Sequence, residues 1–115
     1  MLWLTLIALQ AATPTPPPPP NYEATADFYR CVVGKAKEWA PSKEEAKVIV
    51  ETAMSSCGTE RGAVVQAAAQ HMQATAAKDL PASYRREGIE KMVQMVDDKV
   101  RTLAYETVIK ARMPH

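Results

Sequence analysis

Over the last third of the chain, Ile89, Val93, Val96, Val100, Leu103 and Thr107 recur at intervals of 4, 3, 4, 3 and 4 residues. A strand cannot use that pattern, because its side chains alternate between two faces. A helix can: the spacing keeps all six residues on one stripe, the a/d spacing of a coiled-coil seam. Met92 and Val108 widen the stripe, and Pro81 suits the first turn of a helix. The spacing therefore predicts a helix over 82–112, about 45 Å long at 1.5 Å per residue.

Three shorter helices are predicted before it, and no run of alternating apolar residues reads as a strand. The first covers 24–39, with Ala24, Phe28, Cys31, Val32, Ala36 and Trp39 on one face. It ends at Ala40-Pro41, since the residue before a proline is pushed out of the helical region. Ser42-Lys43-Glu44-Glu45 fits a capping box, so the second helix is expected to start at Ser42 and bury Ala46, Ile49, Val50, Ala53, Met54 and Cys57. Gly58 stands where a left-handed C-terminal cap is expected. Thr59 is the expected cap of a third helix over 60–78, built on Val64, Val65, Ala68, Met72 and Thr75. The expected fold class is all-α: a small bundle of about four helices with a long C-terminal helix, occupying 22–115.

The long helix poses a covering problem. Its neighbours reach only about 25 Å, yet its apolar seam continues nearly to the end. Each large apolar side chain left wet forgoes about 1.5–3 kcal/mol. A kink near Gly88, docking of the first helix against the far half, or a second molecule would each solve it. Val100, Leu103, Thr107 and Val108 are accordingly the candidate interface residues.

Cys31 and Cys57 are the only cysteines. In an exported chain two cysteines are read as one disulfide, which here pins the first helix to the second and closes a loop of roughly 27 residues worth about 3.5 kcal/mol. In a symmetric hairpin turning at Pro41 the two cysteines would be out of register by about 9 Å, more than a disulfide tolerates. Either the Ala40–Ser42 link runs partly along the axis, or a helix ends early, which Gly34 would permit.

Export is expected from the N-terminus. Leu2–Leu9 is almost wholly apolar and Ala11-Ala12 supplies small residues, which reads as a signal peptide over 1–12. The run is too short to span a bilayer, which takes about 20 apolar residues. A Pro-rich spacer follows over 13–21, with Pro16–Pro20 as a stiff polyproline rod. The balance of 14 basic against 13 acidic residues, a formal charge of +1, leaves no electrostatic footprint for nucleic acid.

The search for chemistry finds little. His71 borders the third helix and His115 is the last residue, without metal-ligand spacing to any Cys, Asp or Glu. Ser55-Ser56 has no base nearby in sequence. Asp97-Asp98 is expected on a solvated face, and Glu44-Glu45 is accounted for by capping. Met92 and Met95 could offer thioethers to a soft metal, but core filling explains them. No cofactor is expected, and an enzyme is disfavoured.

The short signal, the Pro-rich spacer, Tyr29-Arg30-Cys31-Val32 and a second Cys ending the next helix resemble small exported two-cysteine helical proteins of Gram-negative bacteria, over Met1 to Gly58. That resemblance implies an envelope location and no particular activity. The expected function is a non-enzymatic module, periplasmic or extracellular, that binds a protein partner or itself through helix faces. The alternative is a small envelope enzyme or metal-binding protein whose site is invisible in sequence.

Overall fold

A computed structural model describes residues 22–114. The signal peptide expected over 1–12, the spacer over 13–21 and His115 lie outside them. Among the described residues the chain forms four helices and no strand: α1 (Tyr22–Trp39), α2 (Ala46–Ser56), α3 (Gly58–Thr75) and α4 (Ala82–Arg112). The all-α bundle with a long C-terminal helix is thus what the chain builds.

Two of the breaks between helices differ from expectation. After Pro41 the chain does not re-enter a helix at Ser42. The cap of α2 is Glu45, in an extended conformation and without a side-chain cap bond. The Ser42 hydroxyl instead accepts a long 3.4 Å bond from the Glu44 amide, inside the loop. The loop is held by a residue distant in sequence. The Arg112 guanidinium, in the last turn of α4, donates to the carbonyls of Ala40 at 2.8 Å, Ser42 at 2.7 Å and Glu44. A helix starting at Ser42 would need the Ser42 and Glu44 carbonyls as its own acceptors. Arg112 occupies one acceptor site on each of these carbonyls and ties the loop to the end of α4; the chain turns and bends from Ala40 to Glu44 and enters the helix only after the extended Glu45.

The second difference is at the α2–α3 joint, where Cys57 alone separates the helices. Its amide donates to the Met54 carbonyl at 3.2 Å and its carbonyl accepts from the Arg61 amide at 3.0 Å. Gly58 is the first residue of α3, no described residue has positive φ, and Thr59 lies within the helix rather than capping it. A left-handed cap is unnecessary where the chain re-enters a helix at once. The hydroxyls of Ser55 and Ser56 donate back to the carbonyls of Glu51 and Thr52 at 3.0 and 2.8 Å. Such back-bonding competes with the helix ladder and favours a bend at this point.

The late start of α2 also resolves the register of the disulfide. Cys31 lies eight residues before the end of α1 and Cys57 eleven after the start of α2, which leaves about 4.5 Å to be absorbed by the loop. Cys31 and Cys57 are bonded, with Cα atoms 6.0 Å apart.

Cross-contacts define the directions. Glu51 pairs with Arg101 and Arg61 with Asp97, so α2 and α3 run antiparallel to α4. Thr25 and Ala26 lie near Met95 and Val96, while Ala40 meets Arg112, so α1 runs parallel to α4. One continuous core joins Phe28, Val32 and Ala36 of α1, Ile49, Val50 and Ala53 of α2, and Val100, Ala104 and Val108 of α4. Docking of α1 against the far half of α4 therefore covers the seam. α4 itself runs unbroken through Gly88, where a Cβ would collide with the Met72 methyl. Gly88 thus serves close approach of α3, not a break in the helix.

Candidate interaction groove

The four residues singled out on α4 divide on inspection. Val100 and Val108 are 2% and 0% exposed, inside the chain's own core. They are not free surface, because α1 and α2 already cover them. Thr107 is half-buried and its hydroxyl donates to the Leu103 carbonyl at 2.8 Å. Leu103 is half-buried and faces a surface groove.

That groove lies between the first turns of α1 and the middle of α4. It has a volume of about 420 Å³ and is walled by Ala26 and Tyr29 on one side and by Met95, Val96, Lys99 and Leu103 on the other. Its walls arise from second apolar stripes. On α1, Phe28 and Val32 point into the core, while Ala26 and Tyr29 fall on the adjacent face. On α4, Val93, Val100 and Ala104 point inward, while Met95, Lys99 and Leu103 recur every fourth residue beside them. Met95 is 71% exposed, so it does not fill a core gap. Tyr29 presents an amphipathic ring, apolar on its faces and polar at its tip.

Sequence reasoning reached Leu103 and missed Ala26, Tyr29 and Lys99. The available signal was the 3–4 spacing of Ala26, Tyr29 and Val33 beside the main stripe of α1. It pointed to a second apolar face but could not say what faced it.

Other candidates are occupied by structural work. Asp97 is not on a solvated face: its side chain is 14% exposed and takes a two-point bond from Arg61, Nε to Oδ1 at 3.0 Å and Nη2 to Oδ2 at 2.8 Å. That bond, against a smaller opposing desolvation, holds the Arg61 guanidinium above its ordinary pKa. Asp98 pairs with Arg101 at 3.2 Å. The hydroxyls of Ser55 and Ser56 are committed to backbone carbonyls, as above. His71 is half-buried on α3, with its Nδ1 enclosed and without a hydrogen-bond partner. The Glu60 carboxylate approaches Cys31 and Cys57, whose sulfurs are bonded to each other and not available as thiolates.

No described helix is long and apolar enough to cross a membrane. Comparison with protein-family models, curated proteins and solved structures gives no match.

The arrangement offers an apolar trough between two parallel helices, lined by the ring of Tyr29, the flexible thioether of Met95 and the aliphatic stem of Lys99. Such a trough accepts a third helix lengthwise, which would complete a four-helix arrangement at that end of the molecule.

Proposed function

We propose that this chain is a helical interaction module, periplasmic or extracellular, that seats a helix of a protein partner in the α1–α4 groove. The observation that carries the reading is the groove itself, with Met95 exposed above it and Tyr29 and Leu103 in its walls. A partner that covers these side chains gains about 1.5–3 kcal/mol for each large apolar group fully buried. Met suits such a surface because its unbranched thioether adapts to different shapes. An oxidising compartment is supported by the Cys31–Cys57 bond, since disulfides are rare in reducing cytosol, and by the apolar run Leu2–Leu9.

The test compares two exposed positions. Met95→Glu places a charge in the groove, whereas Ile109→Glu places one on an exposed residue of α4 outside it. Both variants should retain the wild-type circular dichroism. Tagged mature protein purified from envelope extract should retain a specific partner with Ile109→Glu and lose it with Met95→Glu. A partner held equally by both variants would place recognition elsewhere.

A further inference from the structure

Two opposing fields meet at Cys57. It is the cap residue at the start of α3, and the partial positive charge of a helix N-terminus favours a thiolate there. A disulfide whose sulfur leaves as a favoured thiolate is opened readily by another thiol. Glu60, in the first turn of the same helix, works against this. One of its carboxylate oxygens and the sulfurs of Cys31 and Cys57 all lie within 4.8 Å of one another. Arg30 and Arg61, the cations next to Cys31 and Glu60 in sequence, pair with Asp27 and Asp97 instead.

Opening of the bond has one accessible route. Cys57 is fully buried and Cys31 only half-buried, so an incoming thiolate reaches the Cys31 sulfur. A new sulfur–sulfur bond forms there. The Cys31–Cys57 bond breaks, and its electron pair leaves on the Cys57 sulfur, which takes up a proton. A second thiolate attacks the reagent's sulfur in the mixed disulfide and releases Cys31 as a thiolate, which is protonated in turn. The balance is one protein disulfide reduced to two thiols and two small thiols oxidised to one disulfide. In the first step the attacker and the Cys57 sulfur both carry negative charge beside the Glu60 carboxylate. Repulsion between like charges grows as the effective dielectric falls below that of water.

We infer that Glu60 makes the Cys31–Cys57 bond selective by charge. It keeps the staple closed against anionic thiols, the glutathione class, and leaves it exchangeable with cationic aminothiols, whose ammonium group meets the carboxylate as their sulfur meets Cys31. This selection belongs to the staple and is independent of the groove.

The experiment treats the oxidised mature chain with cysteamine, 2-mercaptoethanol and mercaptoethanesulfonate. As thiolates these are neutral overall, singly negative and doubly negative. Disulfide loss is followed by acid quench, alkylation and mass, and each rate is divided by the thiolate concentration. Cysteamine should be fastest and the sulfonate slowest, with a spread of about tenfold that narrows at high salt. Glu60→Gln should speed the sulfonate about fivefold and compress the spread to about twofold. Glu60→Asp should keep an intermediate spread. Glu87→Gln makes the same change of net charge on the exposed first turns of α4 and should leave all three rates as in wild type. A wild-type protein that reacts equally with the three reagents would overturn the inference. So would a uniform acceleration of all three by Glu60→Gln, which would mark a loosened joint and not a lost charge. Rates that do not rise with thiol concentration would overturn it too, because unfolding and not attack would then limit them.

Discussion

The two ends of α4 live in different surroundings. Its second half is enclosed by α1 and α2, where Phe28, Val32, Val50, Val100 and Val108 are each exposed by 2% or less and the Cys31–Cys57 bond ties α1 to the α2–α3 joint. Its N-terminal turns, before the groove residues Met95 and Val96, face α3. There, beyond Val64, only Ala68 and Val93 are buried, and neither joins the main core. One continuous helix thus passes from a stapled three-helix end into a thin two-helix arm. A helix boundary says little about local stability; the number of layers over the helix decides it. The groove sits at the stapled end, where its walls are held from behind by the core.

The comparison is sharpest for truncations. Phe28→Ala removes a fully buried ring from the stapled end and should cost about 3–5 kcal/mol. Ile89→Ala removes a half-buried side chain of the arm and should cost about 1 kcal/mol, since much of its surface is already wet. Urea midpoints of the two variants, at unchanged slope, measure the difference; equal losses would mean that the arm is as well packed as the core.

Loss of the staple comes next. Cys31→Ser is expected to lower stability by about 2–4 kcal/mol. Thiol titration of the denatured, unreduced protein should find no free thiol, and detection of two would remove the staple from the account.

A smaller effect belongs to the loop clamp. Arg112→Ala should cost about 1–2 kcal/mol through the lost charge-assisted bonds to three carbonyls. Arg112→Lys should recover only part of this, because an ammonium lacks the planar fork. Ser42→Ala should change stability by no more than about 0.5 kcal/mol, as for a surface site away from a cap. A cost near 1 kcal/mol at Ser42 would instead signal a working helix cap.

The smallest effect is expected in the arm. Gly88→Ala gains up to about 1 kcal/mol of helix propensity, offset by displacement of the Met72 methyl. Because that methyl ends a flexible, half-buried side chain, a slight net stabilisation is expected in thermal melts. A marked loss would show that the α3–α4 contact is tighter than the burial pattern implies.

These contrasts show where sequence reading reached and where it stopped. The bounds of α4 were legible because its signals are local: Pro81 before it and an apolar spacing throughout. The cysteine pairing was legible because two cysteines admit one partner each. The start of α2 was not, because the loop that holds the capping-box residues is tied to Arg112, some 70 residues away, and no local pattern announces that contact. Asp97 looked solvated for the same reason, its partner Arg61 being 36 residues distant. The groove escaped because each wall is an unremarkable secondary stripe. Only the parallel docking of α1 on α4 sets Tyr29 opposite Met95 and Leu103.

Native-state amide hydrogen exchange tests the two-part account most directly. Amides of residues 28–36, 49–54 and 97–108, which back the groove, should exchange only through global unfolding. Those of 68–75 and 84–92 should exchange through a separate opening several kcal/mol lower in free energy. Uniform protection along the whole of α4 would contradict the account, as would protection that is higher in the arm than behind the groove.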